Sequence, residues 1–388
     1  MKNVLWFLLL FTCLIACRKE ESVSLSELNP DFDISFVEDY RTSEDFNHNL
    51  FFSGMEIVPL ETNSDAILGR PRKMIVRNGR YYFHNTQQNC VSGFDETGKE
   101  VYSTRPFIGK GPGEYSGCID YYIDDRGEYL YILDAVRYRI CKYSLQDGFL
   151  KYIAYPEDFT RIKSFCLIKD EVFGFYSTSE FGDLNCSLLF YDAEKESKLR
   201  AIDVLPASYL HIQSNRNIFY FLNGQLHFNH SFPSLSTYYF DTLGVFNEKF
   251  RLDFGDRTFN PVVLPTDEDV ALHGAMLPDI YQEYIVVFDK FENNQFVFVS
   301  LFHKEESGML IYNKETRTAH LKTNSSGSAG MLLAPSYVDD NHLYYLCLPE
   351  HLSYLVPSQF RSDSIDRIAD QIGAEDNYVV VKYLFNKK

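Results

Sequence analysis

The sequence predicts an all-β fold, a six-bladed β-propeller of four-stranded antiparallel blades. A segment of alternating apolar residues that ends in an aromatic residue and a turn recurs along the chain. A repeat of about 48 residues that contains four short strands is typical of a propeller blade. The aromatic residues that end the copies are spaced by 49, 48, 49, 72 and 71 residues, at Phe94, Tyr143, Tyr191, Phe240, Tyr312 and Tyr383. The two longer intervals indicate insertions.

The chain begins with a predicted lipoprotein signal peptide, residues 1–16. Lys2 precedes a run of about a dozen mostly apolar residues, which is too short for a permanent membrane-spanning helix. The run Leu14-Ile15-Ala16-Cys17 resembles the bacterial lipobox, so Cys17 is predicted to become the lipidated first residue. The alternative is an ordinary signal peptide with an incidental cysteine. Residues 18–21 resemble the export tract of Bacteroidetes surface lipoproteins, which favours the cell surface over the periplasmic side of the outer membrane.

Residues 17–50 are predicted to form an acidic tether and lead-in, because they are polar and show no periodicity. Residues 51–388 are predicted to form the propeller, as a monomeric domain. The sixth copy ends after its third strand, near 378–385, and lacks a fourth. A strand at about 55–61 is predicted to complete that blade and to join the two ends of the ring. Pro59 is acceptable there because an edge strand has positions that need no N–H donor.

The second copy displays the plan of one blade. Its runs are rich in Tyr, Ile and Phe and are separated by turns rich in Gly and Asp, at 118–124, 129–134, 139–144 and 149–155. Two insertions lengthen later copies, at 254–274 and at about 349–376. The second insertion is predicted to contain a short amphipathic helix, because apolar residues recur at helical spacing. These residues are Ile365, Ile368, Ala369 and Ile372, followed by Gly373 as a stop.

The long connections are predicted to share one face of the ring. In a propeller, the crossings between blades and the loops between second and third strands lie on one face, which we call the elaborated face. The remaining turns lie on the opposite face, which we call the tight-turn face, and those at 77–80 and 124–128 are short. Binding residues commonly lie on loops that a rigid scaffold positions. The elaborated face is therefore the predicted binding face.

The glycine-rich segment F-I-G-K-G-P-G-E-Y, residues 107–115, is predicted to be a crossing between the first two blades. It has neither the G-K-[ST] ending of a Walker loop nor the G-x-G-x-x-G order of a dinucleotide-binding fold. Glycine permits positive φ and proline stiffens the bend, so the segment is interpreted as a structural corner. The alternative is that Lys110, Glu114 and Tyr115 face a ligand.

The predicted ligand-binding residues are polar, cationic or aromatic side chains on loops of the elaborated face. They are Arg70, Lys110, Glu114, Tyr115, Arg137, Tyr138, Arg161, Arg257 and His273. For any single one of them, an exposed loop residue without a role is the better-supported interpretation, so the prediction rests on their common face.

No catalytic residue, metal site or cofactor is predicted. A calcium-dependent hydrolase would need carboxylates that converge on the channel. The available candidates belong to one blade, namely Asp120, Asp124, Asp125 and Asp134. His227 and His230 lie three residues apart on a predicted strand, so their rings are expected to point apart.

The net charge and the cysteine spacing limit the classes of binding partner that we expect for this protein. The net charge of −17 makes DNA and RNA unexpected partners, because nucleic-acid binders carry clustered positive charge. Six cysteines remain beyond Cys17, and none forms the C-x-x-C pair of a structural zinc site. Most lie in apolar strand-like runs, where cysteine behaves as a small buried hydrophobe. Their disulfide pairing is left open for Cys90, Cys118, Cys141, Cys166, Cys186 and Cys347.

Several motifs resemble those of the exported six-bladed β-propeller lipoproteins of Bacteroidetes, which are TolB-like or NHL-like propellers. The motifs are I-V-P-L-E-T-N at 57–63, G-K-G-P-G-E-Y at 109–115 and Y-L-Y-I-L-D at 129–134. The resemblance covers residues 55–155 and continues afterwards by period alone. It implies the fold and an envelope location and supplies no catalytic residues. The prediction is a membrane-anchored, surface-exposed binding module for a protein, peptide or glycan. A hydrolase or lyase with a metal-assisted site at the channel mouth is the alternative.

Overall fold

The structure is a computed structural model. It describes residues 21–22, 28–36, 47–157, 159, 161–177, 188–203, 217–229, 235–240, 245–258, 283–304, 306–324 and 334–387. Six sheets follow one another around a ring, as the repeat predicts. In each sheet the four blade strands pair antiparallel with their neighbours, which confirms the six-bladed β-propeller.

Three strands precede the first complete blade in the sequence: β1 (Glu21–Ser22), β2 (Phe32–Ser35) and β3 (Phe52–Pro59). Blade one contains β4 (Pro71–Arg77), β5 (Arg80–Asn85), β6 (Cys90–Phe94) and β7 (Glu100–Ser103). Blade two contains β8 (Cys118–Ile123), β9 (Tyr129–Asp134), β10 (Arg139–Ser144) and β11 (Gly148–Ala154). Blade three contains β12 (Ile162–Lys169), β13 (Val172–Ser177), β14 (Leu188–Asp192) and β15 (Ser197–Asp203).

The remaining blades follow the same order. Blade four contains β16 (Phe219–Leu222), β17 (Gln225–Asn229), β18 (Ser236–Phe240) and β19 (Phe246–Asp253). Blade five contains β20 (Val286–Glu292), β21 (Phe296–His303), β22 (Glu306–Asn313) and β23 (Thr318–Asn324). Blade six contains β24 (Tyr337–Val338), β25 (His342–Cys347) and β26 (Val379–Phe385), and β3 is its outer strand.

The ring closes where β3 pairs antiparallel with β26, which confirms the predicted closure. Ile57 lies opposite Val381 and Val58 opposite Val380, and all four side chains are buried. Pro59 is the last residue of β3, where its missing N–H interrupts no further ladder pair. The two ends of the propeller are therefore joined by hydrogen bonds along one sheet.

Strand burial follows position within a blade. The middle strands β6 and β14 are buried at every residue, because neighbouring blades cover both of their faces. The outer strand β19 alternates between buried and partly exposed residues, which is the period of two expected for a strand covered on one face. Aromatic rings fill the wedges between blades, as where Phe190 meets Phe240 edge to face at 4.7 Å between ring centroids.

Part of the lead-in adds outer strands to two blades. β1 pairs parallel with β15 of blade three, and β2 pairs parallel with β19 of blade four. Phe32 of β2 stacks near Tyr312 of blade five at 5.9 Å and lies 5.7 Å from Phe250 of blade four. These strands cover edges that would otherwise expose unpaired backbone groups. The described segments 21–22 and 28–36 therefore pack along the ring, at residues for which the sequence shows no periodicity.

The insertion in blade six contains two helices, α1 (Leu352–Leu355) and α2 (Asp363–Gln371), which we label in chain order. The predicted helix is confirmed as α2. Ser362 caps its N-terminus by accepting from the backbone N–H of Ile365, a residue that is itself buried against blade six. Among the described residues, no helix is both long and apolar enough to cross a membrane.

Five cysteines behave as the sequence predicts. The side chains of Cys90, Cys118, Cys141, Cys166 and Cys347 are buried and free. Burial raises the pKa of the Cys141 thiol to about 12, which keeps it protonated and unreactive near neutral pH. Cys186 lies outside the described residues.

Candidate ligand-binding face and axial channel

The glycine-rich crossing is a corner held by its own side chains. Tyr115 is fully buried, and its hydroxyl donates to the Asn89 carbonyl at 2.9 Å and lies 2.7 Å from the Thr104 hydroxyl. The Glu114 carboxylate accepts from the Gly111 N–H at 2.6 Å. Gly113 has φ +80°, which favours glycine, and a Cβ there would make a tight contact of 3.2 Å with the Phe149 ring.

Side chains of blade two hold the glycine-rich crossing in place. The Arg139 guanidinium lies over the Tyr152 ring, 3.6 Å from its centroid, and donates to the Glu114 carbonyl at 2.8 Å. The Tyr143 hydroxyl donates to the Gly113 carbonyl at 3.0 Å. Burial raises the pKa of Tyr115, which keeps its hydroxyl a neutral donor. Because the Tyr115 and Glu114 side chains bond to the crossing itself, we omit both from the ligand-binding set. Lys110, at the tip of the crossing, is exposed.

The other predicted residues lie on the elaborated face. Arg70 and Arg161 are exposed and occupy equivalent positions, one residue before the inner strands of blades one and three. Tyr138 is 42% exposed and precedes the third strand of blade two, next to the half-buried Arg137. Arg257 is half-buried in a short 3-10 helix after β19. His273 lies outside the described residues.

Three of these residues have left-handed backbone, at φ 51° for Arg70, 50° for Tyr138 and 53° for Arg161. For a residue with a Cβ this region costs about 1–2 kcal/mol. Asn89, at the position in blade one that corresponds to Tyr138, has φ 55°. The left-handed conformation therefore recurs at the residue before the third strand in blades one and two.

An axial channel runs through the centre of the ring. A cavity of about 340 Å³ is lined by a segment from each of the six blades, including Lys73, Tyr122, Phe165, Tyr220, Phe291 and Tyr337. A cleft of about 180 Å³ between blades six and one shares Lys73, Met74 and Ser336 with it and adds Arg72 and Tyr378. Aromatic side chains line the walls of the channel. The cationic side chains of Arg72 and Lys73 lie towards its elaborated-face end. Such a lining suits a small ligand or the tip of a larger one.

Asp120 of blade two forms hydrogen bonds with blades one and three beside the channel. Its carboxylate accepts from Lys73 of blade one at 2.9 Å and from the Ser164 hydroxyl of blade three at 2.7 Å. The same carboxylate accepts from the Phe165 N–H at 3.1 Å. With both oxygens occupied, Asp120 acts as a structural acceptor.

A second polar network lies towards the tight-turn face. Arg77 donates to the Tyr337 hydroxyl at 2.8 Å and lies 3.4 Å from Asp125. Glu292 accepts from the Tyr220 hydroxyl at 2.6 Å and pairs with Lys314. These contacts link neighbouring blades across the channel.

The carboxylates of blade two do not converge. Asp134 accepts from the backbone N–H groups of Ser116 and Gly117, and Asp124 accepts from turn residues at 128 and 129. Among the described residues, no group of three or more His, Cys, Asp or Glu side chains is placed to hold a metal ion.

Burial lowers the pKa of two histidines of the blades, His84 and His227. His84 is buried, and desolvation lowers its pKa to about 4 against the opposing effect of Asp120. His227 stacks on Tyr220 at 4.9 Å, and burial lowers its pKa to about 4 although Glu292 lies 3.7 Å away. His230 lies outside the described residues, so the predicted divergence of the pair remains a prediction.

The chain is similar in fold to solved structures from the genus Bacteroides. One is a "putative exported protein" from Bacteroides fragilis, with 14% identity, a TM-score of 0.70 and alignment of 91% of this chain with 99% of that chain. Another is a member of the DUF4221 family from Bacteroides vulgatus, with 12% identity, a TM-score of 0.51 and alignment of 86% of this chain with 97% of that chain. At such identities the likeness concerns the fold alone.

No curated protein matches the chain. A family profile described as a domain of unknown function, DUF4934, matches residues 31–383. Since that match spans most of the sequence, the chain belongs to the DUF4934 family.

Proposed function

We propose that the protein is a lipid-anchored, surface-exposed propeller that binds an anionic region of a protein, peptide or glycan through its elaborated face. The observation that carries this proposal is a set of exposed cations on adjacent connections. Arg70, Lys110 and Arg161 project from the crossings that enter blades one, two and three. The protein as a whole has a net charge of −17, so these cations oppose its overall charge.

The arrangement supports binding for two further reasons. Arg70 and Arg161 directly precede the inner strands β4 and β12, whose residues Lys73 and Phe165 line the aromatic channel. A cationic rim around an aromatic cavity can engage an anionic group while a ring or sugar face packs below it. Protein neighbours of this fold include one named as exported, which is compatible with a partner outside the cytoplasm.

Charge reversal on one face tests the binding proposal. We expect Arg70→Glu/Lys110→Glu/Arg161→Glu to abolish capture of partners from detergent-solubilised membranes of the producing bacterium. A matched variant reverses three exposed cations of the tight-turn face, Lys99→Glu/Arg126→Glu/Arg317→Glu. It carries the same net charge and should capture partners as the wild type does. Equal capture by all three proteins would refute the assignment of the face.

The anchor is tested separately. The mature protein should begin at Cys17 and carry acyl chains detectable by mass spectrometry, and Cys17→Ala should retain the signal peptide. Two or more acyl chains suffice for stable anchoring, since each buried methylene contributes about 0.8 kcal/mol. Proteinase K added to intact cells should degrade the protein if it lies on the surface. Protection in intact cells would place it in the periplasm.

A further inference from the structure

A wide groove opens between blades three and four on the tight-turn face. Its volume is about 880 Å³, and it lies beside the ends of β12 and β16 and the turn at 223–224. Its walls include the aromatic rings of Phe190, Phe221 and Phe240. This groove lies on the opposite side of the ring from the proposed binding face.

The described charged side chains that line the groove are all cationic. Lys169, Arg200 and Lys249 line it, and none of its described lining residues is Asp or Glu. Lys249 lies 3.5 Å from Asp31 at the rim and 5.4 Å from the Tyr239 ring, so its charge is partly balanced from outside. Arginine and lysine are the usual protein ligands of phosphate, and the aromatic walls suit the apolar part of an amphiphile.

The direction of β1 favours a predicted anchor on the same side. β15 runs from the turn at 193–196 on the tight-turn face towards the elaborated face, and β1 is parallel to it. The N-terminal end of β1 therefore points to the tight-turn face, although Glu21 itself lies beside Ile202, one residue before the elaborated-face end of β15. Only residues 18–20 separate Cys17 from Glu21, and four Cα steps span at most about 14 Å. A lipid on Cys17 would hold blade three close to the membrane.

We propose that the groove between blades three and four docks the phosphate-bearing headgroup of an anionic membrane lipid, so that the tight-turn face rests on the membrane and the elaborated face points away. This rests on the lipid anchoring included in the proposed function. The two observations are independent, because one concerns the side chains of the groove and the other the chain direction of β1. Basic residues at a membrane surface contribute individually to binding of anionic lipid.

Vesicle binding tests the groove without the anchor. The chain from Arg18 onward retains all six blades and both lead-in strands. We expect it to sediment with vesicles of phosphatidylcholine and phosphatidylglycerol and not with phosphatidylcholine alone. Lys169→Glu/Lys249→Glu should weaken this binding by at least ~10-fold. The matched variant Arg70→Glu/Lys110→Glu, which changes the elaborated face, should bind as the wild type does, with folding of both variants checked by circular dichroism.

Two results would overturn the headgroup proposal. The first is that the protein binds neutral and anionic vesicles equally well, or that the groove variant binds anionic vesicles as well as the wild type does. The other is complete competition by low millimolar inorganic phosphate, which would indicate a site for free phosphate. Because neither result involves partner capture, failure here is distinguishable from failure of the proposed function.

Orientation is tested with single tryptophans. Trp6, the only tryptophan, lies in the predicted signal peptide, so an introduced one is a unique probe in the mature protein. Leu222 lines the groove, and Val136 is 66% exposed on the elaborated face. In the lipidated protein on vesicles of brominated phosphatidylcholine and phosphatidylglycerol, Leu222→Trp should be quenched and Val136→Trp should not. Quenching of Val136→Trp, or of neither probe, would contradict the proposed orientation.

Discussion

Replacing Asp120 with alanine tests how the axial channel holds the first blades together. The Asp120 side chain is 7% exposed, and that of its partner Lys73 is 21% exposed. Alanine leaves the Lys73 ammonium without its acid and the Phe165 N–H without its acceptor. Lys73 keeps one bond to the Tyr121 carbonyl. We therefore expect a loss of about 3 kcal/mol in the free energy of unfolding, at the lower end for a broken buried ion pair.

The assay is urea unfolding followed by circular dichroism, with Lys73→Met and the double variant as controls. If the two side chains act as a pair, the double variant should lose about 1–2 kcal/mol less than the sum of the single variants. Additive losses would show that the two groups act independently. A loss below about 1 kcal/mol for Asp120→Ala, typical of an exposed pair, would refute the reasoning.

Three further predictions follow from the fold. Ile57→Ala, at the ring closure, should lower the free energy of unfolding by about 2–4 kcal/mol in urea unfolding, whereas Glu56→Ala on the exposed side should lower it by less than about 1 kcal/mol. Equal losses would argue against closure through β3. Burial lowers the pKa values of His84 and His227 from 6.5 to about 4, so the unfolded chain binds more protons between these pH values. Stability should therefore fall as pH drops from 6.5 to 4, and a double His→Phe variant should flatten that slope. Tyr115→Phe should lower the free energy of unfolding by about 1–2 kcal/mol while leaving partner capture unchanged; weakened capture at full stability would return Tyr115 to the binding set.

The sequence predicts the blades well because each blade is built from local contacts. Adjacent strands are joined by short turns, so alternation and turn residues appear together within one repeat of the sequence. α2 is predicted for the same reason, since its apolar spacing and its cap at Ser362 are local. The closing strand is predicted from what the sixth copy lacks.

The sequence does not predict contacts made over long separations. β1 has two residues and β2 has four, and each pairs parallel with a strand more than a hundred residues away. Parallel partners leave no hairpin turn in the sequence to mark them. The burial of Tyr115 depends on Asn89 and Thr104, and the charge of the groove depends on side chains from two blades. Neither is visible until the blades are placed side by side.

Site-specific photo-crosslinking in intact cells tests the central claim that the elaborated face engages the partner. Lys110 and Lys99 are both exposed lysines next to blade one, on the elaborated and tight-turn faces respectively. With p-benzoylphenylalanine at position 110, ultraviolet light should produce a discrete higher-mass adduct that contains the partner. The same substitution at position 99 should produce none. An adduct from position 99 and not from position 110 would contradict the account.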